Sequence, residues 1–269
     1  MFDTVGVVLI SLALICFTGG LSLLRLEGGL VNPWSWAVVV LGLLLVIPFV
    51  LWELRCDDPL IDVRMFRSPA LGPVFLTAGL FGVSVLGAQA PLSTFARTDP
   101  GVYGYGLGTT GFATSLIIGL YLIAMIAGAL LFPLVARLVS PRITLMGASL
   151  LVGIGFLLFL PFHDSYVQVV TNMVIVGLGS GALVAALPAA AASAAPATQT
   201  GVATGLTNSV KTVGGAIASC IFGIALLNGV SGAVEGTAGS FAGYVTVWVV
   251  CGVTAVSYTH LRAHETPEH

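Results

Sequence analysis

The chain has 269 residues, 57% of them hydrophobic and 7% charged, with a formal net charge of −2. Soluble domains carry about 25% charged residues, so this composition excludes a water-facing surface and calls for lipid contact instead. The near-neutral charge excludes a basic footprint for nucleic acid. Cysteines Cys16, Cys220 and Cys251 in apolar runs and Cys56 in a charged loop read as small fillers with no disulfide or metal role.

A helix that crosses the hydrocarbon core needs about 20 apolar residues. The first predicted span is Thr4–Leu24, closed by Arg25 and Glu27, with no basic stretch before it to suggest a secretory signal. The second is Trp34–Trp52, opened by Asn32-Pro33 and closed by Glu53. The third lies within Ala70–Ala96, and the fourth within Phe112–Val135. The fifth is Ile143–Phe162, the sixth about Tyr166–Pro188, the seventh about Leu206–Leu227 and the eighth about Phe241–Ala255. Small residues crowd the third to the seventh. Gly177 with Gly181, and Gly215 with Ser219 and Gly223, have the spacing that lets helix backbones approach in lipid. The pattern predicts an all-α integral membrane protein of about eight transmembrane helices. A β-barrel would need alternating segments of about ten residues.

Basic residues set the expected orientation. Arg55, Arg64, Arg67, Arg137, Arg142 and Lys211 fall on one side of the zigzag, and Arg25 and Arg97 on the other. The first group marks the cytoplasmic side, which puts Met1 in the cytoplasm. After Ala255 the chain turns polar, and His260, His264 and Glu265 have ligand chemistry at helical spacing. The string from Val256 to Thr266 resembles the read-through translation of a transposase-type sequencing adapter. Residues 256–269 are therefore expected to be an artefactual tail that follows a truncated eighth span.

Several segments resemble the 14-helix drug:proton antiporter branch of the major facilitator superfamily. Phe2-Asp3-Thr4-Val5-Gly6 is similar to the Asp-x-x-Gly start of that branch's seventh helix. Phe49 to Arg55, with Glu53 and Arg55, followed by Pro59 to Arg67, resembles the loop between its eighth and ninth helices. Gly201 to Ile217, with Asn208, Lys211, Gly214 and Gly215, resembles the start of its thirteenth helix. The loop from Ala136 to Arg142 keeps the family's basic pair there but lacks its acidic residue. The resemblance implies two linking helices in residues 1–69 and the C-terminal six-helix bundle in 70–255, built as two inverted three-helix repeats. It further implies a missing N-terminal six-helix half and proton-coupled export of hydrophobic or cationic small molecules across the plasma membrane. Export would proceed by alternating access, with the proton gradient as energy source and no cofactor.

No Asp, Glu or His lies mid-span, so the proton carrier is expected in the missing half, with Asp3 as the alternative. Gln89, Tyr121, Asn172, Asn208 and Lys211 are the candidates for a substrate pathway. Gln89, Tyr121 and Asn172, like Ser84, could equally bond neighbouring helices. Lys211 could be a snorkelling anchor or a gate contact, with Asn208 one turn earlier on its face. Arg55, Arg64, Arg67, Arg137 and Arg142 are read as gating and topology residues of the cytoplasmic loops. Trp34, Trp36, Trp52 and Trp248 read as interface anchors. Two other transporter-scale readings remain, a carrier of a sugar or other metabolite and a non-transporting structural membrane subunit. A membrane enzyme would need a reactive cluster and a channel a polar ring or filter, and the spans contain neither.

Overall fold

The computed structural model describes residues 3–24, 26, 29, 31–56, 61–227 and 239–263, with side chains described as far as Ser257. Phe2, Arg25, Glu27, Asp57, Asp58, Pro59, Leu60, Glu235, His264 and Glu265, and the side chains of His260 and Arg262, lie outside the described residues. All regular structure described is helical.

Helices α1 (Thr4–Leu24) and α2 (Pro33–Glu53) form an apolar hairpin. Asn32 caps α2 by accepting from the Trp34 N–H at 3.0 Å, with Pro33 at the first helical position, where a missing N–H costs nothing. A short 3-10 turn, Val63–Arg67, leads through Gly72 into α3 (Gly72–Phe81). A π-turn, Gly82–Leu86, joins α3 to α4 (Gln89–Arg97). This is the third span, and Pro91 explains its interruption. Proline has no N–H to continue the i→i−4 ladder, and the Gly87 N–H instead reaches back to the Gly82 carbonyl at 3.0 Å.

A one-turn helix, α5 (Pro100–Tyr103), precedes the long α6 (Gly111–Leu138). The loop between them folds back on α4. The Gly108 N–H donates to Thr98 O, and Gly106 takes φ +100° where a side chain would strike Thr98. Ser140 caps α7 (Pro141–Leu157), and a capping box of Ser165 and Gln168 opens α8 (Tyr166–Ala194). Helices α9 (Thr200–Leu227) and α10 (Phe241–Ala263) complete the fold.

Among the described residues, six helical segments are long and apolar enough to cross a membrane: α1, α2, the composite α3–α4, α6, α8 and α9. Helix α7 and the Phe241–Ser257 stretch of α10 are also apolar but shorter. The eight predicted apolar helices are all present, with shifted ends. Helix α7 stops at Leu157, short of the expected Phe162, and the chain turns there ahead of Pro161. Helix α8 runs through Pro188 to Ala194, because its alanine-rich end favours helix despite the proline. Helix α9 begins six residues before the expected Leu206.

Helices α6 and α8 run parallel. Tyr166 donates its hydroxyl to Ala113 O near their starts, and Gly177 and Gly181 face Tyr121 and Met125 further on. Helix α3 and the π-turn cross α9 at Gly79, Gly82, Gly214 and Gly215. The α1–α2 hairpin meets the rest through α9, where Phe17, Leu21 and Val39 lie against Cys220 and Ile224. Ile61 shares a shallow pocket with Val202, Gly205, Leu206 and Ser209, so the 54–71 segment and the start of α9 occupy one end of the bundle. The ends of α6 and α8 lie there too, which gathers Arg55, Arg64, Arg67, Arg137 and Arg142 on that side. Arg97 closes α4 at the opposite end.

That opposite end is aromatic. Phe95, Tyr105, His163, Phe241, Tyr244 and Trp248 stack or meet edge to face. Trp248, expected as a lipid-interface anchor, is instead 3% exposed inside this cluster and stacks on Phe159. Trp34 is 76% exposed, as an anchor requires. Tyr105 donates to Gly239 O, and burial raises its phenol above the ordinary tyrosine range.

Candidate functional site

A cavity of about 180 Å³ opens between the composite third span, α6, α7 and α8. The π-turn and α4 supply Val85, Ala88, Gln89 and Leu92. These four stand at i, i+3, i+4 and i+7, the spacing that puts side chains on one face of a helix. Helix α6 supplies Ile118, Tyr121 and Leu122 from successive turns, and Phe156, Met173 and Val176 close the far wall. The lining is overwhelmingly apolar, with the Gln89 amide and the Tyr121 phenol as its polar side chains.

Two of the predicted pathway residues, Gln89 and Tyr121, are thereby brought together. Gln89 is exposed and its amide has no hydrogen-bond partner among the described residues, so it is available to a ligand. Tyr121 is 4% exposed and directs its hydroxyl at the Met125 sulfur, 3.6 Å away. Its ring packs the cavity wall, while its backbone sits against Gly177.

The other candidates lie elsewhere. Asn172 precedes the lining residue Met173 but is not itself in the lining. It is buried and donates from Nδ2 to Phe162 O at 2.8 Å, tying α8 to the turn after α7. Asn172→Leu is expected to cost about 1 kcal/mol in unfolding stability and leave ligand binding unchanged. Chemical denaturation in detergent, paired with a binding isotherm, checks both halves of that expectation. Ser84 is likewise turned inward, bonding Leu80 O and Phe81 O of its own helix.

Asn208 and Lys211 form their own pair on α9, with Lys211 Nζ donating to Asn208 Oδ1 at 2.9 Å. Because α9 starts at Thr200, Lys211 lies three turns into it, about 16 Å along the axis and deeper than the one to two turns that a start near Leu206 would give. Its carbonyl oxygen touches Gly82 of the π-turn, one face away from the cavity. Of the loop arginines, Arg64 donates from Nη2 to Leu54 O at 3.1 Å, and Arg55, Arg67, Arg137 and Arg142 have exposed side chains at the same end of the bundle.

Sequence reasoning did not single out Val85, Ala88, Leu92, Ile118, Leu122, Phe156, Met173 or Val176. In a chain sheathed by lipid an apolar residue is expected on every face of a helix, so no periodicity separates cavity walls from lipid contacts. The Pro91 interruption was the one local signal available. Among the described residues, no group of His, Cys, Asp and Glu side chains has an arrangement for a metal ion.

An apolar bundle with an intramembrane cavity of this kind defines a multi-pass membrane protein. The chain belongs to the Major Facilitator Superfamily, a family of transporters, whose family model matches residues 4–219. It is similar to puromycin resistance protein pur8 of Streptomyces alboniger, 31% identical over 212 residues, which cover 76% of this chain and 40% of the relative. It is also similar to cephamycin export protein CmcT of Amycolatopsis lactamdurans, 28% identical over 234 residues, or 83% of this chain and 45% of the relative. The matched region thus spans less than half the length of either relative.

Proposed function

We propose that the chain forms the C-terminal, ligand-contacting portion of a proton-coupled exporter of hydrophobic or cationic small molecules. It would work by alternating access with a preceding six-helix half in the plasma membrane, its arginine-bearing end in the cytoplasm. The observation that carries this reading is the cavity lining. A wall of Val, Leu, Ile, Phe and Met with one amide and one phenol rewards burial of apolar surface and imposes little hydrogen-bond discrimination. A polar nutrient would leave its hydroxyls without partners there. The export and resistance functions named for the two relatives point the same way. Among the described residues, no Asp, Glu, Lys, Arg or His lines the cavity, and this reading places the proton carrier in the preceding half.

Equilibrium binding to the purified chain in lipid nanodiscs tests the reading. Saturable binding of puromycin, displaced by other amphipathic amines and untouched by sugars, is the expected result. Saturable binding of a sugar with no displacement by amines would move the assignment to a metabolite carrier.

A further inference from the structure

At the arginine-bearing end of the α1–α2 hairpin, Asp3 and Glu53 are both buried, at 9% and 2% exposure. Oδ1 of Asp3 accepts two hydrogen bonds, from the Gly6 N–H at 2.9 Å and from the Trp52 indole Nε1 at 2.9 Å. Oδ2 of Asp3 is fully enclosed and receives no ordinary donor. It points into the space over Gly6, where a β-carbon would collide with it and would stand 2.5 Å from Oε1 of Glu53. The other Glu53 oxygen, Oε2, accepts from the Ile61 N–H at 3.1 Å. Two carboxyl oxygens thus meet in a pocket that only glycine leaves open.

We propose that Asp3 and Glu53 form a proton-binding site that holds one shared proton and clamps the hairpin to the Ile61–Arg67 segment. Two carboxylates in contact away from water do not both ionise, and the pair titrates as a unit. The asymmetry of donors fixes where the charge rests. Asp3 has the indole, the Gly6 amide and the N-terminal dipole of α1 to favour its anion. The Gly6 hydrogen bond and then the Trp52 and Val5 donors accordingly hold Asp3 below the ordinary aspartate range, against the opposing effect of burial. Glu53 then keeps the proton and donates it to Asp3 Oδ2, which satisfies the enclosed oxygen.

Among the described residues, the neighbouring cations of the connecting segment and of α9 are engaged elsewhere or face outward. On the connecting segment, Arg64 is held on the Leu54 carbonyl, and Arg55 and Arg67 are exposed. On α9, the element against which α1 packs, the cation is Lys211, engaged with Asn208. Removing the proton leaves two anions facing each other over Gly6. Their repulsion is relieved by parting the hairpin from Ile61 and the 3-10 turn. The site therefore makes the seating of this connecting segment depend on pH at the arginine-bearing end. The inference does not rest on the export reading, because it needs neither the cavity nor a substrate.

Infrared difference spectroscopy of the purified chain in nanodiscs across a pH series tests it, with Trp52 emission as a second readout. A protonated-carboxyl band is expected at neutral pH and is expected to vanish in Glu53→Gln, which keeps the shape of the side chain. Asp3→Asn removes the neighbouring anion and should move the loss of that band to lower pH by about one unit, a tenfold change in proton affinity. Trp52 emission should shift at the same pH as the band, and Trp52→Phe should abolish the shift. A wild-type spectrum without a Glu53-dependent acid band at neutral pH would overturn the proposal. So would a midpoint that Asp3→Asn leaves in place. If Glu53→Gln does not fold, the Asp3→Asn midpoint and the wild-type Trp52 titration decide alone.

Discussion

Gly181→Ala is expected to cost about 3 kcal/mol of stability, although it adds one methyl group. A β-carbon on Gly181 would lie inside the van der Waals radius of the Met125 carbonyl oxygen and 2.7 Å from the Met125 carbonyl carbon. Backbone cannot rotate out of the way as a side-chain tip can, so α8 must withdraw from α6 along its length. Withdrawal also breaks the reciprocal contact of Gly128 with the Leu178 carbonyl and loosens Gly177 from Tyr121. Overpacking of a close contact costs about 1–3 kcal/mol, and one against rigid backbone belongs at the upper end. The comparison is Gly119→Ala on α6, whose β-carbon would meet nothing within 4 Å. That substitution is expected to be neutral or stabilising by up to about 1 kcal/mol, since alanine is the better helix former. Thermal unfolding of both variants in the same detergent, followed by size-exclusion chromatography, checks the contrast. Equal losses would mean that the α6–α8 glycine contact does not hold the bundle together.

Ile118→Trp is expected to weaken ligand binding at least tenfold, about 1.4 kcal/mol, while leaving the fold intact. Ile118 borders the cavity and is 39% exposed, so a larger side chain there grows into the open volume and not into packed core. An indole is large against about 180 Å³, and it would cover the approach to Gln89 and Tyr121. Leu130→Trp, on the same helix at a position 68% exposed and outside the lining, serves as control and should bind as wild type does. Puromycin binding isotherms on the two variants measure the difference. Undiminished binding to Ile118→Trp would move the ligand out of this cavity.

The limits of Thr4–Leu24 were legible to the residue because a polar break follows an unbroken apolar run. The ends of α8 and α9 were not. Alanine and glycine continue a helix without raising hydrophobicity enough to mark it, so the helical stretches beyond Pro188 and before Leu206 read as loop. The caps at Thr110, Ser140 and Ser165 were written in the sequence as hydroxyl residues before apolar runs and could have fixed three helix starts. Gln89 and Tyr121 stood out because a polar group in a span needs a reason, and both border the cavity. The same argument drew attention to Asn172, where the reason is a bond to the Phe162 carbonyl.

Composition and spacing alone determined that this chain builds apolar helices for a bilayer and that most of its arginines gather at one end. Those properties follow from how much charge a stretch carries, which is local. Tertiary structure decided the rest: the bordering of one cavity by Gln89 and Tyr121, the choice of apolar side chains that line it, and the meeting of Asp3 with Glu53 across 50 positions of chain. The physical reason is that lipid and protein interior are equally apolar, so hydrophobicity cannot say which way a side chain faces. Only the close approach of one backbone to another settles it.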